Sequence, residues 1–179
     1  MKTFTGTYIA SIIGLTMLAS GAASAGPVID GARDSQEETA IRALLTELVS
    51  WIDAEETYRT TNRPIAKIKF VDAGDTVTAE GHEFVVADRT RGLYDEKKAT
   101  IYLSRPWSVD DPFDRSVLLH ELAHHLQVDA RHWYCPQAME WDAYRLQETW
   151  LGEHGIASGF YWPAILLESS CSKRDHHPD

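Results

Sequence analysis

Basic residues are scarce in this chain. Its 17 Lys and Arg face 27 Asp and Glu, a net charge of −10 at pH 7, which makes it a poor ligand for nucleic acid or anionic membrane surfaces. Cysteine is scarcer: Cys135 and Cys171 are the only two. No internal repeat, linker or low-complexity segment interrupts the sequence, so a single domain with one packed core is expected. Long apolar runs are missing too. The run at 9–18 is too short to span about 30 Å of hydrocarbon, which argues against a transmembrane anchor there.

That run reads instead as the centre of a signal peptide over 1–25. Lys2 precedes it, and Ala23-Ser24-Ala25 has the small-residue pattern of a cleavage site. No cysteine stands directly after the cleavage point and no paired arginines precede it, so neither a lipoprotein anchor nor twin-arginine export is indicated. The expected mature chain is one domain, 26–179, with 16 basic and 27 acidic residues. It is expected outside the cytoplasm, secreted or periplasmic. In an oxidising compartment Cys135 and Cys171 pair as a disulfide, and closing a loop of this length contributes about 3–4 kcal/mol.

What is present begins, after a flexible stretch at 26–33, with a helix over 36–55. Asp34 or Ser35 caps it, Glu37 and Glu38 occupy its first turn, and Ile41, Leu44, Leu45, Leu48, Val49 and Ile52 form its apolar stripe. The pattern then switches to period two. Strands are expected at 65–71, 83–87 and 99–103, with a charged turn at 95–98, giving a small, mostly antiparallel sheet with a hairpin. A helix starting near 112–114, capped by Asp114, runs to 127 and on through 129 to 133. Pro136 opens another over 137–153, with Met139, Ala143, Leu146 and Trp150 on its core face. A short helix at 160–167 is tied down through Cys171, and 172–179 is a polar tail. His176 and His177 in that tail are a weak metal pair at best, read as a disordered terminus. The fold class is α+β.

The chemistry concentrates in His120-Glu121-Leu122-Ala123-His124. Residues i and i+4 share a helix face, so the two imidazoles can grip one Zn²⁺, with Glu121 beside them as general base. The flanking Val117, Leu118, Leu119, Leu122, Ala123 and Leu126 bury this helix, and buried imidazoles and carboxylates call for a partner such as a metal. A catalytic zinc site needs a third protein ligand. Glu140 and Asp142 are the candidates, about 200° apart on their helix. Glu140 borders the buried stripe and reaches further. Cys135, between the two metal-binding segments, is the rival ligand to its own disulfide. His125 points 100° away from His124 and reads as a rim residue.

The segment from 118 to 151 resembles the glutamate zincins, metallopeptidases whose third ligand comes from a following helix. The matching residues are His120-Glu121-Leu122-Ala123-His124 and, later, Glu140-Trp141-Asp142-Ala143-Tyr144, with Glu140 three residues before Ala143. In size and element order the chain is similar to the small single-domain members, the minigluzincins. The resemblance implies a zincin-like domain: scaffold helix, small sheet, metal helix, glutamate helix. It also implies zinc held by His120, His124 and Glu140, and hydrolysis of a peptide or protein substrate with Glu121 as base. Tyr144, His132 and Tyr134 are candidate oxyanion donors. The strand before the metal helix, 99–104, would hold the substrate by backbone pairing. The spacing from His124 to Glu140 is shorter than in thermolysin-like enzymes, and the third histidine of the metzincins is missing. The alternatives are a zinc hydrolase of an envelope amide, a zinc-binding protein without turnover, and an acidic module without metal.

Overall fold

The computed structural model describes residues 26–55, 58, 64–79 and 82–171. The expected signal segment and the His176–His177 pair lie outside them.

Helix α1 (Ser35–Ala54) starts where its cap predicts, with the Asp34 side chain accepting from Glu37 N at 2.8 Å. Its stripe of Ile41, Leu44, Leu45, Leu48 and Ile52 is buried. These side chains enter one core with Ile68, Ile101 and Leu103 of the sheet and Leu118, Leu119 and Leu122 of the metal helix.

The strands are β1 (Ile29–Asp30), β2 (Lys67–Val71), β3 (Thr76–Ala79), β4 (His82–Val85), β5 (Gly92–Asp95) and β6 (Thr100–Ser104). Four form a sheet in the order β1-β2-β6-β5, and β3 and β4 make a separate antiparallel hairpin. The fold is α+β, as expected, but the main sheet is mixed rather than mostly antiparallel. β1 runs parallel to β2 and β2 to β6, leaving β5–β6 as its one antiparallel pair. The physical reason lies in β6, which is buried at every position. Its Thr100, Tyr102 and Ser104 alternate with Ile101 and Leu103, the pattern of a half-solvated antiparallel strand, although both of its faces are covered.

Three local expectations also change. Residues 26–33 are not simply a loose terminus, because Ile29 and Asp30 pair with Ile68 and Lys69. The connection at 88–98 contains β5 itself. The substrate strand expected at 99–104 is an interior strand, β6, and the edge strand beside it is β5.

Helix α2 (Pro112–Ala130) is capped by Asp111, which accepts from Phe113 N and Asp114 N, and not by Asp114. Asp114 is buried, accepts from Ser108 N at 2.9 Å and forms an ion pair with Arg91. The helix ends at Ala130, short of the expected 133. A 3₁₀ turn, Pro136–Met139, leads straight into α3 (Glu140–Glu153). Met139, Ala143, Leu146 and Trp150 are buried as their spacing predicts. After α4 (Trp162–Glu168), Cys171 is disulfide-bonded to Cys135, which removes Cys135 as a metal ligand. No described helix is long and apolar enough to cross a membrane.

Candidate metal centre

One turn of α2 separates His120 from His124, so both project from the same face, and each residue is 7% exposed. Their rings meet edge to face at 4.7 Å, and the two Nε2 atoms lie 3.1 Å apart. The first residue of α3 completes the group. Glu140 Oε2 is 3.2 Å from His120 Nε2, and Oε1 is 3.4 Å from His124 Nε2. These three side chains offer ligand atoms all within 4.8 Å of one another, a set that can hold a metal ion. Asp142 faces elsewhere, accepting from Tyr58 OH at 3.0 Å and from Arg131 Nη2 at 2.7 Å.

Two glutamines that sequence reasoning passed over orient the imidazoles. The Gln147 amide nitrogen donates to Ser116 Oγ at 3.0 Å, and the Ser116 hydroxyl donates to Phe113 O at 2.6 Å. That order turns the Gln147 oxygen toward His120 Nδ1, 3.1 Å away, so Nδ1 carries the proton. The Gln127 nitrogen likewise donates to Met139 O at 2.9 Å, presenting its oxygen to His124 Nδ1 at 2.9 Å. With each Nδ1 committed to an amide oxygen, Nε2 is the nitrogen of both rings that faces inward, the one a metal ligand would use. The available signal was position: Gln147 is in line with Glu140 and Tyr144 on α3, beside the buried stripe, where an amide needs a polar partner.

Electrostatics follow from crowding two carboxylates and two imidazoles out of water. Burial pushes the Glu121 carboxyl above its ordinary range. Burial works the same way on Glu140, but its contacts with His120 and His124 outweigh that and hold it well below the usual carboxylate range. Burial disfavours a charged His124, yet the Glu140 carboxylate beside it raises the imidazole to about 9. Without metal, the proton on His124 offsets the Glu140 charge, the position a divalent cation would take over. Glu121 is held close against the sheet: a Cβ on residue 92 would stand 2.6 Å from Glu121 Oε1. Only glycine leaves room there, a second feature that sequence reasoning missed.

A cleft of about 320 Å³ runs over this group, with Gly92, Leu93 and Tyr94 of β5 along one side. Tyr144 lines it, its ring 4.6 Å from that of His120. Burial raises the Tyr144 phenol to about 12, and its hydroxyl has no hydrogen-bond partner among the described residues. His132 and Tyr134 line a neighbouring hollow instead, where their rings meet at 6.2 Å. His125 is buried and faces away, with Nδ1 2.9 Å from Tyr94 OH and Nε2 3.1 Å from Pro64 O.

Comparison with known proteins adds one finding. The family model described as a domain of unknown function, DUF6647, matches residues 37–179. No curated protein and no solved structure matches the chain. The chain belongs to the DUF6647 family.

Proposed function

We propose that this member of the DUF6647 family is an exported zinc-dependent peptidase of zincin-like design. One observation carries the reading: His120, His124 and Glu140 converge on one point beside the Glu121 carboxylate, in a cleft that runs along the edge strand β5. The donor geometry suits zinc. A tetrahedral ion with nitrogen donors about 2.0–2.1 Å away sets neighbouring donors about 3.3–3.4 Å apart, close to the 3.1, 3.2 and 3.4 Å separations here. Once the His124 proton is displaced, the two inward Nε2 atoms and the carboxylate are also a donor set that suits a divalent cation. When bound, zinc supplies a Lewis acid that polarises the scissile carbonyl and acidifies the attacking water.

The chain's own residues do the rest. The outer edge of β5, the last strand of the sheet, gives backbone donors and acceptors to an extended peptide. Glu121 takes a proton from the attacking water as the new C–O bond forms. It then delivers that proton to the amide nitrogen as the C–N bond breaks. Tyr144, which stays protonated well above neutral pH, is the donor positioned in the cleft for the developing oxyanion. The Cys135–Cys171 bridge supports export to an oxidising compartment. The reading is tested by metal analysis of the purified mature chain and by peptide cleavage with and without a chelator. One zinc per chain and chelator-sensitive cleavage are expected. A chain that purifies without zinc and cannot be loaded overturns the proposal.

A further inference from the structure

At the Gly92 end of β5 the cleft opens into a second hollow of about 300 Å³, bordered by His120, Glu121 and Tyr144 on the side of the metal centre. Phe113, Val117 and Phe160 give it an apolar wall, and Arg89 and Arg91 line it from the segment leading into β5. Arg91 is anchored by its ion pair with Asp114. Arg89 is exposed and makes no ion pair or hydrogen bond with any described residue. Glu121 is the sole acid lining this hollow. In a chain of net charge −10, a hollow carrying two guanidinium groups runs against the background. The opposite end of the cleft carries Glu96 instead.

A peptide on the β5 edge has a direction. Antiparallel pairs are the more stable per residue and the more common, so the peptide runs from the Glu96 end toward Gly92. Its C-terminal part then passes the apolar wall and reaches Arg91 and Arg89. A charge at each end of the cleft complements the same orientation. An apolar side chain fits against Phe113, Val117 and Phe160, and the next residue lies about 3.3 Å further along the strand, within reach of a long arginine side chain. Guanidinium is the donor group suited to a carboxylate, which it can grip through two parallel N–H bonds.

We propose that this hollow selects peptides that present an apolar side chain followed by a carboxylate on the C-terminal side of the scissile bond, with Arg89 as the specificity-determining residue. The inference rests on the peptidase reading. The carboxylate is either the chain terminus of a short peptide or an Asp or Glu side chain.

The test uses the zinc-loaded mature chain carrying Glu121→Gln, which binds peptide without turning it over. Three fluorescent peptides share one sequence and differ just after the apolar residue: a terminal carboxylate, a terminal amide, or an amidated Glu. At least one carboxylate-bearing peptide should bind about tenfold more tightly than the amide, and the tighter of the two identifies the source. Adding Arg89→Glu should remove that preference, Arg89→Lys should restore part of it, and ionic strength near about 1 M, where the screening length falls to about 3 Å, should weaken it. Equal binding of all three peptides, no binding of any, or a preference that survives Arg89→Glu overturns the proposal. Cleavage assays on the unaltered chain keep the two readings apart. Cleavage without carboxylate preference sinks the hollow and leaves the peptidase, whereas selective binding without cleavage does the reverse.

Discussion

Two glutamates in this molecule, one buried and one half-buried, are neutralised in opposite ways. Glu37, at the start of α1, is clasped by Arg105, whose Nη1 and Nη2 each donate to one carboxylate oxygen at 3.0 Å, and Arg33 Nε adds a third bond at 3.0 Å. Arg105 is fixed in turn by the carbonyls of Gly31 and Trp107 and lies 3.7 Å over the Phe70 ring. Glu140 meets only imidazoles, and the nearby guanidinium of Arg131 goes to Asp142. The scaffold carboxylate has cations built into the fold, whereas on the proposed reading the cleft carboxylate takes its cation from solution. Two arginines meet the first acid and none among the described residues meets the second, which leaves Glu140 available in the way the proposed metal site requires.

The largest expected effect separates the chemistry from both clusters. Glu121→Gln keeps the side chain's shape and removes its basicity, so peptide hydrolysis should fall by about 10²–10⁴-fold while zinc content stays at one per chain. Atomic absorption and a cleavage assay on the same preparation check it. Hydrolysis that survives would remove Glu121 from the role of base.

Next, the two glutamates should respond differently to metal. Glu37→Gln strands Arg105 in a buried setting and should cost about 3 kcal/mol, read as a lower melting temperature with and without zinc. The rise in melting temperature on adding zinc should persist. Glu140→Ala should abolish that rise, with zinc affinity down by more than about 100-fold, beyond the loss expected for a supporting partner. Asp142→Ala should retain it. If Asp142→Ala loses the zinc response instead, the ligand assignment moves to Asp142.

Acid and alkali should then find different weak points. The Arg105 clasp, opposed by burial, holds Glu37 near 2 against an ordinary 4.5. Its contribution is full above pH 4.5 and is lost as pH falls through 2. His124 is raised, to about 9 from 6.5. Its contribution is full below pH 6.5 and is lost as pH rises through 9. Urea unfolding of the metal-free chain should therefore show an acid-side decline that Glu37→Gln reduces, the remainder coming from Glu140. It should also show an alkaline decline that saturating zinc removes, since zinc takes the place of the imidazole proton.

How much of this was legible in the sequence follows from how local each signal is. The stripe of α1, the i, i+4 histidines of α2 and the core face of α3 are set by spacing within one helix, and all appear where spacing puts them. Glu140 was separable from Asp142 by angle on the same helix. Strand pairing was not legible, because β5 contributes only four residues and finds its place through a partner rather than through its own pattern. The cap of α2 went to Asp111 over Asp114 because Arg91, 23 residues away in the chain, recruits Asp114. Gly92 and the two glutamines matter through contacts across elements, which no one-dimensional pattern encodes.

The smallest expected effect tests the glutamines themselves. Gln147 accepts from His120 Nδ1 and donates to Ser116, so its amide fixes a tautomer and adds no charge. Gln147→Leu keeps the apolar volume but leaves Nδ1–H without an acceptor, and zinc affinity should fall by about tenfold. Gln147→Glu restores the acceptor and adds a negative charge that pulls on the Nδ1 proton, making the ring a stronger donor at Nε2. It should recover zinc binding relative to Leu, although it loses the bond to Ser116. Competition with a chelator of known affinity measures both. If Leu and Glu weaken zinc equally, the amide serves packing alone, and the contrast between the clasped scaffold acid and the open cleft acid narrows to the ligands themselves. If Glu recovers binding, the orientation of each imidazole is part of what keeps the cleft site ready for its ion.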